Sequence, residues 1–252
     1  MSPEKIALLL SVAAIAGWID AVVGGGGLLQ VPVLLLMMPG MPVATALGTS
    51  KLAAIAGTST AAITYARRTP INYRLGIPAA CFACVAAGLG AYLAGIMPSQ
   101  LFRPVIIAIL VGVAIFLMVR PTFGMEHHEY VLQRRHYLVA IFVVSGGIGF
   151  YDGFIGPGTG TFLILSFVAL LGLDLVRSSA LAKLVNTGTN ISAITIFALN
   201  DHIMWLLGAG MAVMNIAGAW VGAGMTLKRG AKFARMVLFC IVLGLAIRLA
   251  FE

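Results

Sequence analysis

Apolar residues fill this chain in long stretches separated by short polar ones. The first half holds runs at about 5–23, 28–38, 43–66, 75–97 and 101–119. The second holds runs at about 137–155, 161–172, 175–199, 205–227 and 233–251. Eight of these runs approach or exceed the ~20 residues that a helix needs to span a bilayer. The runs at 28–38 and 161–172 are shorter. Eleven helical residues reach only about 17 Å, against a hydrocarbon core of about 30 Å. They are either re-entrant half-helices, giving eight spans, or crossings completed by their neighbours, giving ten.

The pattern is written twice. Shifted by 132 positions without a gap, residues 149–252 read onto 17–120 with 23 identities in 104 pairs. An apolar composition inflates chance matches, but this register also superimposes both aspartates and both lysines. Gly17-Trp18-Ile19-Asp20 falls on Gly149-Phe150-Tyr151-Asp152, and Lys51-Leu52 on Lys183-Leu184. Gly24 and Gly26 fall on Gly156 and Gly158. Repeated hydrophobic halves are how many transporters are built, with the substrate site where the copies meet. The organisation expected is a first transmembrane repeat over 1–120, a polar linker over 121–136 and a second repeat over 137–252.

Composition agrees with a chain that lives in lipid. It is 61% hydrophobic and 10% charged, where a soluble domain carries about 25% charged residues. The expectation is an all-α integral membrane protein. The first apolar run follows a single basic residue and reads as a retained helix rather than a cleaved signal. The net charge of +8 resides in short loops, where Lys and Arg set topology, so nucleic acid is not an expected partner.

Those loops also bear on the span count. Arg67-Arg68…Arg74, the linker and Lys228-Arg229…Lys232…Arg235 all fall on one face if the short runs cross, and do not if they fail to cross. The positive-inside rule thus favours five helices per repeat. An odd number inverts the second copy relative to the first. Matching loops then trade their charge: Arg67-Arg68…Arg74 corresponds to Leu199-Asn200…Leu206, which has no Lys or Arg. The fold expected is two inverted-topology repeats of about five helices each, with both termini outside the cytoplasm.

Four ionisable residues lie deep in apolar runs: Asp20, Asp152, Lys51 and Lys183. An ionised side chain at the bilayer centre costs at least about 2.5–3.5 kcal/mol on insertion scales. Each Asp precedes a Lys by 31 residues. Two readings stand. One is a buried Asp–Lys pair within each half that fixes register. The other is a lysine that binds an anion, with the aspartate orienting it or carrying a coupling ion.

Between each Asp and Lys lies a helix breaker, Gly24-Gly25-Gly26-Gly27 in one half and Gly156-Pro157-Gly158-Thr159-Gly160 in the other. Non-helical backbone at membrane depth is tolerated inside protein or beside water. The N–H groups opening the next half-helix carry a positive dipole end, which suits an anion. Polar residues follow each lysine. Ser50 precedes Lys51, and Thr58-Ser59-Thr60 lies beyond it. Asn186, Thr187 and Asn190 stand at i+3, i+4 and i+7 from Lys183, on one helix face. They read as the lining of a cavity. Gly218-x-x-x-Gly222 reads as helix packing.

Other candidates read blandly. Cys81 and Cys84 have C-x-x-C spacing without a second pair, and Cys240 stands alone, so all three read as small helix residues. His127 and His128 read as solvated linker rather than metal ligands. No cofactor motif is found. There is no His-Glu-x-x-His and no nucleophile motif, which counts against an intramembrane enzyme.

The glycine strings, with Gly48-Thr49-Ser50-Lys51-Leu52, carry a family resemblance. Ala16-Gly17-Trp18-Ile19-Asp20-Ala21 to Gly27 and Gly149-Phe150-Tyr151-Asp152-Gly153-Phe154-Ile155-Gly156-Pro157-Gly158-Thr159-Gly160 resemble the sulfite exporter TauE/SafE family (DUF81, TSUP), in its YfcA-like branch. Where the family commonly has Asn before this lysine, the chain has Ser50. The resemblance implies a bacterial cytoplasmic-membrane transporter for sulfite, sulfonates or related sulfur-containing anions. The function expected is a multipass secondary transporter for small anions, coupled to H+ or Na+. Its alternatives are a cation carrier using Asp20 and Asp152, or a channel-like membrane protein.

Overall fold

The computed structural model describes residues 2–98 and 134–251. The described residues form helices and connecting turns. Pro3–Val23 is α1, Gly26–Met37 α2, Val43–Ala66 α3 and Tyr73–Ile96 α4. Arg134–Phe154 is α5, Thr159–Leu171 α6, Leu175–Leu199 α7 and Trp205–Phe251 α8. The expected run at 101–119 and linker residues 121–133, including His127 and His128, lie outside the described residues.

Local chemistry sets many of the ends. Pro3 opens α1, where its missing N–H costs nothing. Asn72 caps α4 by accepting from the Leu75 N–H, and Asp174 caps α7 by accepting from Arg177. Within α5 the backbone widens to π spacing from Val139 to Ser145, where Ser145 Oγ donates to the Ala140 carbonyl at 2.7 Å. The last helix, α8, breaks at Gly230, whose φ is +73°.

The halves match element by element. Gly26, Val43 and Tyr73 open α2 to α4, and Thr159, Leu175 and Trp205 open α6 to α8, displacements of 133, 132 and 132. The halves are not two separate bundles, however. α1 packs chiefly on α8, α4 on α5 and α7, and α3 on α8 and α7. Equivalent contacts recur with the partners exchanged. A Cβ on Gly222 would meet the Trp18 carbonyl, and one on Gly90 would meet that of Phe150. Each residue of the second contact sits 132 positions from its counterpart in the first. Gly218, one turn before Gly222, lies against Ala14 in the same way, so the small-residue spacing does serve helix packing.

Four described helices are long and apolar enough to cross a membrane: Pro3–Val23, Tyr73–Ile96, Arg134–Phe154 and Trp205–Ala234. Large apolar side chains point outward from two of them: Val85, Leu89 and Ile96 on α4, and Leu206, Val213 and Trp220 on α8. Such stripes are costly in water and at home in lipid. α3 and α7 sit between these outer helices, and they bury the polar residues. The short helices α2 and α6 each follow a glycine break.

Candidate functional site

Both breaks fall at the same place in the interior. α1 ends where Gly24 takes a left-handed φ of +80° and donates its N–H to the Asp20 carbonyl at 2.8 Å. A side chain there would be strained, and its Cβ would fall on the Gly160 backbone. The converse holds too, since a Cβ on Gly160 would lie 2.5 Å from Gly24 Cα. Two glycines, one from each half, let the chains touch. Thr161 then ties them, donating its N–H to the Gly24 carbonyl at 3.2 Å and its hydroxyl to the Val23 carbonyl at 2.7 Å. In the second break Gly156 and Gly158 have φ of +89° and +87°. Tyr151 holds that loop by donating to the Pro157 carbonyl at 2.5 Å.

The N-termini of α2 and α6 therefore meet beside a small cavity of about 40 Å³, room for a few water molecules and little more. Twelve of the sixteen residues expected at a site line it. From the breaks come Gly24, Gly27, Gly156, Gly158, Thr159 and Gly160. The helices supply Asp20, Ser50, Lys51, Asp152, Asn186 and Asn190. Gly25, Gly26, Lys183 and Thr187 are not part of the lining. Gly26 packs against Ala16 and Asp20 of its own half, and Thr187 donates its hydroxyl back to the Lys183 carbonyl at 2.8 Å.

Of the two readings of these charges, the ion pairs rule out a pair within each half. They cross. Lys183 Nζ lies 2.6 Å from Asp20 Oδ2, and Lys51 Nζ lies 2.6 Å from Asp152 Oδ1. Each lysine reaches the aspartate of the other half because the helices of the two halves interleave. A 31-residue spacing common to both halves cannot distinguish partners within a copy from partners across copies.

Thr58 was noticed in sequence only as part of a polar run, yet it donates to Asp20 Oδ2 at 3.1 Å. Its counterpart 132 positions on is Asn190, whose Oδ1 accepts from Lys51 at 3.1 Å. Asp152 is 1% exposed and its Oδ2 has no hydrogen-bond partner among the described residues. Thr161 was missed altogether. It starts an apolar run and carries no signal of its brace.

Buried charge is costly unless paired, so two crossed pairs, drawn from four helices and set beside the two breaks, are a deliberate arrangement. Chemically the site offers one lysine on a cavity edge, two helix N-termini and amide and hydroxyl groups. No group of three or more His, Cys, Asp or Glu suited to a metal occurs among the described residues.

Comparison with known proteins places this geometry. No solved structure matches the chain. The "Probable membrane transporter protein ORF9" of Sinorhizobium sp is 35% identical, covering 97% of this chain and 92% of that protein. The "Probable membrane transporter protein YfcA" of Escherichia coli is 33% identical, covering 100% and 92%. A similar protein of Haemophilus influenzae is 35% identical, covering 92% and 89%. The profile described as sulfite exporter TauE/SafE matches residues 9–249. The chain belongs to the sulfite exporter TauE/SafE family, a family of membrane transporters.

Proposed function

We propose that this protein is a multipass secondary transporter that moves small sulfur-containing oxyanions, sulfite or an organosulfonate, across a bacterial cytoplasmic membrane. The observation that carries the reading is the pair of crossed ion pairs at the joined helix breaks. A lysine already neutralised by an aspartate has a cation to offer only when that aspartate lets go. An incoming oxyanion would take the aspartate's place, with helix N-termini and Asn, Ser and Thr groups as donors. The cavity is too small for an organosulfonate while both pairs are closed, so the geometry fits an occluded state. Parting the pairs from one side at a time would give alternating access.

Inverted repeats are the reading that best joins the loop charges to the exchanged contacts of α1 with α8 and α4 with α5. Ten or eight crossings both accommodate the described helices. The coupling ion would be H+ or Na+, taken by Asp20 or Asp152. The Oδ2 of Asp152, buried and without a partner among the described residues, is the observation that keeps a cation carrier as the rival.

Purified protein in proteoliposomes tests the choice. Sulfite, sulfoacetate, taurine and a metal cation are each offered in counterflow. Saturable exchange of a sulfur oxyanion that falls on replacing Lys51 by Ala supports the anion reading. Cation flux unaffected by that change would replace it with the rival. Flux without counterflow would point to a channel.

A further inference from the structure

A groove of about 410 Å³ lies between the end of α3 and the middle of α8, well away from the ion pairs. Arg67 and Arg68, just past the last residue of α3, and Lys228, two positions before the break at Gly230, line one part of it. All three are exposed, and no carboxylate among the described residues lines the groove with them. Beyond Thr64 the remaining wall is apolar: Trp220 at 66% exposure, Val221, Met225 and Leu227. Gly224 faces the open space, for a Cβ there would meet nothing within 4 Å.

The repeat shows that the fold does not need this chemistry. Moved back or forward by 132 positions, Arg67, Arg68 and Lys228 become Leu199, Asn200 and Ile96, and Gly224 becomes Tyr92. The same framework is built there with a large side chain and no cation. Cations without an ion-pair partner among the described residues, gathered at a helix end beside an outward tryptophan and an apolar wall, fit a ligand with a charged head and an apolar tail. Two arginines and a lysine suit a phosphate. Basic pockets between helix ends on the cytoplasmic side hold anionic headgroups.

We propose that this groove binds an anionic glycerophospholipid. Its phosphate sits among Arg67, Arg68 and Lys228, and an acyl chain lies along Trp220 and Val221. The shared chemistry is phosphate, and the apolar wall assigns it to a lipid rather than to a free anion. The proposal stands whatever substrate the central cavity takes.

Native mass spectrometry of the full-length protein in detergent, with equal phosphatidylglycerol and phosphatidylcholine of the same acyl chains, reads it directly. The expected result is selective retention of phosphatidylglycerol. R67Q/R68Q/K228Q should lower that selectivity on the order of a hundredfold, since each surface cation contributes about 1 kcal/mol. K5Q/R134Q/R135Q, with the same charge removed elsewhere, should preserve it. W220A should weaken retention of both lipids alike. The three cations are exposed, and a melting curve checks folding. If the triple variant does not fold, R68Q and K228Q singly should each cost about fivefold. No selectivity in the unaltered protein, or equal loss in both triple variants, overturns the proposal. Displacement of phosphatidylglycerol by inorganic phosphate would reassign the groove to a soluble anion.

Discussion

The two crossed ion pairs occupy equivalent places in the two halves, yet they are not equivalent. Lys183 is 0% exposed, does not border the cavity and closes on Asp20, which also receives the Thr58 hydroxyl on the same oxygen. Lys51 borders the cavity and lies against the second break, with its Nζ 3.4 Å from where a Cβ on Gly156 would stand. It divides its N–H groups between Asp152 and Asn190, and the buried Asp152 Oδ2 has no partner among the described residues. A duplicated frame has thus put more donors on one aspartate and more acceptors on one lysine. The first pair resembles a strut. The second has its lysine on the cavity edge and the amide neighbour that a binding event can use.

Removing single charges has the largest expected effect. K51M strands Asp152 in the interior, and K183M strands Asp20. Breaking a buried pair in this way costs about 3–5 kcal/mol. K51M should be the worse of the two, because Asp20 keeps Thr58 and is 15% exposed at its side chain while Asp152 is 1%. Thermal unfolding in detergent measures it. Neutralising both partners, as K51M/D152N or D20N/K183M, should restore most of the stability. The two double variants then separate in transport. The first should lose sulfite exchange by tenfold or more, equivalent to at least about 1.4 kcal/mol. The second should keep a measurable rate. Equal loss in both would erase the distinction between strut and working pair.

Gly24→Ala comes next. It asks a Cβ to adopt φ +80° and to occupy the place of the Gly160 backbone. Overpacking of this kind costs about 1–3 kcal/mol. Gly158→Ala meets a similar φ, +87°, but only side-chain atoms of Leu28 and Phe162, none nearer than 3.6 Å. It should therefore cost less. If the two variants melt alike, backbone strain outweighs the contact between the halves.

Much of this was legible in sequence because it rests on local rules. Among the described residues the apolar runs became helices to within a few residues, 205–227 and 233–251 as one helix broken at Gly230, since length and hydrophobicity decide spans. The breaks stood out because glycine and proline interrupt helices wherever they lie. The partners were not legible. The repeat makes Asp20–Lys51 and Asp20–Lys183 equally acceptable as patterns, and only the interleaving of helices chooses. Helical periodicity placed Lys183, Asn186, Thr187 and Asn190 on one face. It could not say that Lys183 closes on Asp20 without lining the cavity, or that Thr187 donates to its own helix, as threonines in helices often do. Thr161 depends on a contact between residues 138 positions apart, which no local pattern encodes.

The smallest expected effect tests the comparison most directly, because it exchanges the residues that make the pairs differ. Thr58 is a donor to its aspartate, and Asn190 is an acceptor from its lysine. T58V removes one hydrogen bond and keeps the shape, so its cost should be about 1 kcal/mol, or somewhat more because the acceptor is charged. N190T should bring a hydroxyl toward Asp152 and take an amide oxygen from Lys51. T58N should do the reverse at the first pair. If the polar neighbour decides which pair works, N190T slows sulfite exchange more than T58V does, although both change one hydrogen bond. T58N/N190T together should then shift sensitivity to lysine replacement from position 51 toward position 183. Sensitivity that stays at position 51 would mean that the cavity's shape makes the distinction, and that Thr58 and Asn190 only accompany it.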